Sequence, residues 1–251
     1  MSERIWTAGL AVIGDEILSG RTQDRNVAQL ASWLNAQGIR LREVRIVADV
    51  EDAIVEAVNT LRARYDYCFT TGGIGPTHDD ITVDAIAAAL GVPVVVHPEA
   101  RAVLERHYAE RGGLTDARLR MARVPQGAEL IPNRMSGAPG IRIGNILVLA
   151  GVPHIAAGML DALTGTLEGG APLVARTIGC WVAESEIAEL LRAVEAAHAG
   201  VTLGSYPFFR EGRVGANFVI RATSQQVVDA CGRALSEGLR ALGRDSVEGG
   251  I

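Results

Sequence analysis

YDYCFTTGGIGPTHDD, residues 65–80, passes from an apolar run into a loop with three glycines in four positions, a proline, a histidine and two aspartates. YDYCFTT reads as a buried strand, and the alanine-rich segment after the loop reads as a helix to Leu90, stopped by Gly91. Upstream, IWTAGLAVI (5–13) reads as a buried strand and GDEILSGRTQD as a loop. Val27, Leu30, Ala31 and Leu34 repeat at helical spacing, with Gly38 as a stop. IRLREVRIVA (39–48) alternates as a strand, and Ile54, Ala57, Val58 and Leu61 mark a second helix. Such a βαβαβα order predicts parallel strands with helical crossovers.

Downstream, VPVVVH predicts a short strand and a helix from near Pro98, followed by an irregular stretch over 111–139 with several glycines and prolines. IRIGNILVLA predicts two short strands around Gly144-Asn145, and GVPHIAAGMLDAL a turn and a helix. GTLEGGAP has linker character and sets a boundary between domains 1–170 and 171–251. In the second, PLVARTIGCWV, VTLGSYPFF and VGANFVIRAT predict strands, and SEIAELLRAVEAA a helix with a capping box at Ser185. A helix over about 225–242 completes a βαββα order, a small α+β sheet with helices on one face. Alternation predicts that one of Phe208 and Phe209 is buried, with core packing preferred to an interface patch with Tyr206.

The chain has 251 residues and a formal charge of −5, which argues against nucleic-acid binding through a general basic field. No segment has the roughly 18 to 20 uninterrupted apolar residues of a membrane span, and MSERIWTAGL does not resemble a leader. A cytoplasmic protein is expected. Cys68, Cys180 and Cys231 lack metal-ligand spacing and read as buried thiols. All 24 basic residues are arginine. A P-loop lysine and a Schiff-base lysine are therefore excluded. A cationic side-chain contact to phosphate has to come from arginine or a metal.

Three loops follow predicted strands and are expected to meet in one crevice: GDEILSG, ADVED and TTGGIGPTHDD. Gly72, Gly73 and Gly75 bare the backbone for an anion, or merely allow a tight turn. Gly151 and Pro153 form a second glycine turn into a helix, with an ordinary helix entry as the alternative. Asp79 and Asp80 would repel a phosphate. One aspartate suffices as a cap, and Asp84 adds a third acid. A divalent cation (Mg, Mn or Co) between the carboxylates and a phosphorylated ligand removes the conflict. The other reading is a cap plus a solvated surface. Asp15, Glu16 and Asp49 are either exposed loop charge or further carboxylates of that crevice, and His78 a ligand or a hydrogen-bonded loop residue.

TTGGIGPTHDDIT, with IGDEILSGRTQDRN before it and SGAPG and GVP after it, resembles the MoaB/Mog molybdopterin-binding fold family. It is most similar to the amino-terminal part of CinA proteins, and also resembles the molybdopterin-like domain of FAD synthetases. LGSYPFF and the βαββα segment are similar to the small domain that follows in CinA proteins. The resemblance implies a three-layer, Rossmann-like α/β domain with a mostly parallel sheet, binding a pterin such as molybdopterin or a nucleotide phosphate. It places Asp80 at the family's functional aspartate, with Thr71, Thr82 and Asp84 in the same motif. For a metal-dependent hydrolysis Asp80 and Asp49 are both candidates for the general base. Asp79 stands where Mog-type proteins carry arginine, which weakens molybdopterin adenylyl transfer. Ala150 replaces a proline frequent in the family. The CinA branch implies metal-dependent cleavage of ADP-ribose- or FAD-type diphosphates, with a non-catalytic binding module as the alternative. Mog-like relatives imply a trimer and CinA-like ones a dimer.

Overall fold

The structure is a computed structural model and describes residues 4–251. The first three residues of the stretch inspected for a leader lie outside the described residues. The chain divides into two compact units, one running to Gly170 and the other Ala171–Ile251.

The first unit opens with β1 (Trp6–Ile13), α1 (Asp15–Leu18), α2 (Asn26–Ala36), β2 (Ile39–Val47), α3 (Glu51–Arg64), β3 (Tyr67–Thr71) and α4 (Thr82–Leu90). β4 (Val94–Val96), α5 (Pro98–Tyr108), α6 (Asp116–Leu119), β5 (Arg123–Pro125) and β6 (Glu129–Ile131) come next. β7 (Gly140–Ile143), β8 (Ile146–Leu149) and α7 (Pro153–Leu163) complete it. Six strands form one sheet in the order β2-β1-β3-β8-β7-β6. The first four are parallel; β7 runs antiparallel to β8, and β6 antiparallel to β7.

Side-chain alternation explains the three layers. Leu10 and Val12 of β1, Phe69 of β3 and Leu147 of β8 face one way, against Leu30 and Leu34 of α2 and Met159 and Leu163 of α7. Ala11, Ile13, Cys68 and Val148 face the other way, against Ile54, Val58 and Leu61 of α3 and Ile86 of α4. Strands buried on both faces read as continuous apolar runs, as β1 and β3 do. Gly91 closes α4 with a φ of 67°, the left-handed cap that glycine adopts without a Cβ penalty.

Local departures from expectation have physical causes. GDEILSG contains one helical turn, α1. The irregular stretch contains α6, β5 and β6, and β5 pairs with β4 in a separate two-stranded sheet. Cys68, Cys180 and Cys231 are buried free thiols, and burial pushes Cys68 up to about 12.

The second unit contains β9 (Val174–Cys180), α8 (Glu184–Ala197), β10 (Thr202–Arg210), β11 (Arg213–Ala222), α9 (Gln225–Ala241) and β12 (Ser246–Glu248). Its antiparallel order β10-β11-β9-β12 makes β9 and β10 parallel with β11 between them, the split βαβ arrangement. β12, which sequence reading misses, adds a second such unit around β9. The core is one-sided. Phe218, Ile220 and Ile178 pack with Ile187 and Val194 of α8 and Val228, Leu235 and Leu239 of α9. Ser185 is not a cap: α8 starts one residue earlier, its N-cap is Ala183, and no side chain caps it. Neither neighbouring phenylalanine joins the core. Phe209 is 72% exposed, opposite exposed Val214, because the helix side is uncovered at this end of the hairpin. Phe208 packs edge-on against Trp181 on the opposite face.

Candidate functional site

The carboxyl ends of β1, β2, β3 and β8 deliver four loops to one cavity of about 560 Å³. Nine residues expected from sequence line it: Glu16 after β1, Asp49 after β2, Gly72, Gly73, Gly75, Asp79 and Asp80 after β3, and Gly151 and Pro153 after β8. The cavity has two characters. Glu16, Asp49, Asp79 and Asp80 supply carboxylates, whereas Met121, Ala138, Ala150, Val152, Ile155 and Met159 give an apolar wall.

The glycines have distinct jobs. Gly72 has a φ of 103°, and a Cβ there would collide with the Ile13 carbonyl oxygen. Its N–H already donates to Leu149 O at 3.2 Å, so Gly72 turns the chain rather than offering a donor. The amides of Gly73, Ile74 and Gly75 make no hydrogen bond among the described residues and are the loop's open donors. Thr82 holds this loop in place. Its hydroxyl donates to Gly72 O at 2.9 Å and its N–H to Gly73 O at 3.0 Å. Thr82 is fully buried, as is Thr71, whose hydroxyl has no partner among the described residues, and neither lines the cavity.

Neither aspartate of the pair caps α4; its N-cap is Ile81, without a side-chain bond. Asp80 Oδ2 instead accepts from the Thr77 N–H at 2.8 Å and from the Thr77 hydroxyl, which orients Asp80 within its own turn. Oδ1 makes no hydrogen bond among the described residues. Asp84 departs from the expected ligand role: its carboxylate is ion-paired with Arg123 and lies outside the cavity lining. Asp15 is likewise exposed and outside the lining, but its N–H donates to Asp49 Oδ2 at 2.9 Å. His78 is almost wholly exposed and does not line the cavity.

Asp49 is the carboxylate of the cavity whose pKa is raised. Burial raises its pKa; the Asp15 N–H opposes this, and the negative charges of Asp15, Glu16 and Asp79 raise it further. A divalent cation would reverse that repulsion, and an all-oxygen carboxylate set suits a hard ion such as Mg²⁺. Glu16, Asp49, Asp79 and Asp80 supply oxygen ligands of the kind such an ion takes. Among the described residues no three acidic, histidine or cysteine side chains are gathered closely enough to hold one by themselves. The remaining positions would fall to water and ligand oxygens, as is usual for Mg²⁺.

Sequence reading misses several contributors. Asn26, buried at the start of α2, donates to Gly151 O at 2.7 Å, and Gln29 donates to Pro153 O at 3.2 Å. Together they fix the β8–α7 turn. Ala150 uses the N–H that a proline would lack: it donates to Met159 Sδ at 3.4 Å. Met121, Ser136 and Ala138 reach the cavity from the irregular 111–139 stretch, where no periodicity marks them. Asn26 belongs to the TQDRN run quoted above, but a lone polar residue on a helix carries no signal of what it bonds.

Residues 9–169 match the family described as "Probable molybdopterin binding domain", and residues 172–245 match "FAD synthase, middle domain". A protein of Pyrobaculum calidifontis is 38% identical over 211 residues, covering 80% of each chain. A CinA-like protein of Citrifermentans bemidjiense is 36% identical over 253 residues, covering 94% of this chain and 60% of its own. The present chain thus spans less than two thirds of that relative. The crystal structure of CinA from Thermoplasma acidophilum, whose function is described as unknown, superposes with a TM-score of 0.61 at 31% identity. It covers 64% of this chain and 98% of its own. No helix among the described residues is long and apolar enough to cross a membrane. With its doubly covered, mostly parallel sheet and these matches over both units, the chain belongs to the molybdopterin-binding-domain family as a CinA-like member.

Proposed function

We propose that the cavity hydrolyses a nucleoside diphosphate-linked compound of the ADP-ribose or FAD type, with a divalent cation as cofactor. The observation that carries this reading is the pairing of an acidic wall with free loop amides in one cavity that also has an apolar wall. The apolar wall receives a flat ring. The amides of Gly73, Ile74 and Gly75, with the amino end of α7, receive phosphate oxygens. A divalent cation held there would supply charge neutralisation and polarise a phosphoryl oxygen. Glu16, Asp79 and Asp80 are the residues to hold it; Asp15 contributes through its amide to Asp49. In the reaction a water oxygen bonds to one phosphorus, the bridging P–O bond breaks, and the leaving phosphate takes the electron pair. The water proton goes to Asp49 or Asp80, two of the four carboxylates that line the cavity.

A panel of ADP-ribose, FAD and NAD, with and without Mg²⁺, Mn²⁺ or Co²⁺, tests this by product chromatography. AMP should appear from a diphosphate substrate only with metal, and Asp80→Asn should lower the rate about a hundredfold or more. If all three compounds stay intact under every condition, the hydrolase reading fails. A binding module for molybdopterin is the second reading. It is favoured by the absence, among the described residues, of a self-sufficient metal cluster. Calorimetry showing pterin binding without turnover would select it.

A further inference from the structure

The sheet of the 171–251 unit carries both of its helices on one face, so no helix of this unit covers the other; Gly250-Ile251 lie on that other face over Gly179 and Asn217. Cross-strand register puts Tyr206 opposite Asn217, Phe208 opposite Gly215, and Asn217 opposite Gly179, all on that face. The rings of Tyr206 and Phe208 lie down on the bare backbone of Gly204 and Gly215, where a Cβ would run into them. Glycine thus allows a low aromatic surface. Trp181 joins it, edge-on to Phe208 at 5.2 Å.

Each ring carries an arginine. Arg213 lies 4.4 Å from the Trp181 centroid, Arg210 5.0 Å from Phe208, and Arg221 5.7 Å from Tyr206, to whose hydroxyl it also donates at 3.0 Å. The ion pairs found in this unit belong to other arginines, Arg176, Arg192 and Arg244. Among the described residues no carboxylate pairs with Arg210, Arg213 or Arg221. A guanidinium over a ring keeps N–H groups for an anion, for Arg221 those not given to the Tyr206 hydroxyl, and its plane, like the ring below, accepts a flat base.

We propose that this face binds single-stranded nucleic acid, the aromatic–arginine pairs stacking bases and the arginine edges meeting phosphates. Flat stacking surfaces combined with unpaired positive charge match a polyanion that itself carries rings. An acidic peptide would use the charge but not the rings. The expectation of no nucleic-acid partner rested on the net charge of the whole chain; this surface is local. The proposal is independent of the diphosphate reading, because none of these residues lines the cavity.

The test uses the full chain and fluorescein-labelled 12-nucleotide RNA and DNA of mixed sequence. Anisotropy is followed from 50 to 200 mM salt, with tryptophan fluorescence in parallel. Binding should weaken with salt along a log–log slope of about −2, roughly 0.7 for each of three phosphate contacts. Tryptophan emission should fall as bases stack on Trp181. The double variant R210Q/R213Q changes exposed side chains and should flatten the slope by about 1.4. Tyr206→Ser should weaken binding roughly tenfold. Circular dichroism of both variants should match the wild type. No binding at 50 mM salt overturns the proposal. So does equal competition by polyglutamate with unchanged tryptophan emission, which would mark an acidic-peptide surface. Loss of a self-associated species in R210Q/R213Q by light scattering, without any oligonucleotide effect, would assign the face to a second copy.

Discussion

Gly72 shows how one residue serves both fold and site. Its φ of 103° lies in the region that side chains avoid, and its missing Cβ lets β3's exit pass the end of β1. Gly72→Ala should therefore destabilise the protein by about 1–3 kcal/mol, measured by urea unfolding, and should displace Gly73 and Gly75 with it. A stability within about 0.5 kcal/mol of wild type would mean that the turn relaxes freely. The glycine loop and Asp80 are legible in the sequence because clustered glycines and tandem acids are local signals. What they touch is not. Sequence alone leaves Asp80 as a possible helix cap; the structure instead ties it to Thr77, three residues back. Asp84 looks like a third site acid until Arg123, 39 residues away, is found paired with it. Long-range partners of this kind leave no local pattern.

At the scale of elements, β2 is one edge strand of the sheet and carries a polar cluster on the side that meets α3. Glu43 accepts from Arg45 at 2.7 Å, from Arg64 at 2.8 Å and from Tyr65 at 2.8 Å. The Arg45 bond, then the Tyr65 hydroxyl, hold the Glu43 carboxyl below its ordinary range, with the Arg64 and Arg45 charges acting the same way. A depressed folded pKa means the unfolded state binds protons first. The stabilisation is therefore complete above the ordinary glutamate pKa and is lost as pH falls through the depressed value. Thermal melts of the wild type should decline over that acid window, and Glu43→Gln should show a flatter decline; identical acid limbs would remove the cluster from the stability of the edge. Helical periodicity makes α2 and α3 readable and unbroken apolar runs make β1 and β3 readable, since each packs one face or two. β12 escaped because three residues, Ser246, Val247 and Glu248, carry no period; pairing with β9 defines it. Ser185 misled because the first turn of α8 begins at Glu184, which puts the serine inside the helix.

At the scale of the whole molecule, each unit has its own buried clusters, two on the faces of the first unit's sheet and one in the second unit. Phe218→Ala removes the largest side chain of the second core and should cost that unit about 3–5 kcal/mol. Hydrogen exchange should then accelerate in 171–251 while amides of β1 and β3 keep their protection; uniform loss across the chain would mean that the units unfold as one. Whole-chain charge bears on the site as well. A lysine-free protein of net charge −5 places four carboxylates in the cavity assigned to an anionic ligand. Metal and diphosphate should consequently bind as a coupled pair, each tightening the other by the same factor. Titration of Mn²⁺ followed by electron paramagnetic resonance, with and without ADP-ribose, measures this directly in the wild type and in Asp80→Asn. The account predicts weak Mn²⁺ binding alone, binding tightened at least tenfold by ADP-ribose, and no tightening in Asp80→Asn. ADP-ribose that binds equally well without metal, or Mn²⁺ whose affinity ignores both ligand and Asp80, would contradict it.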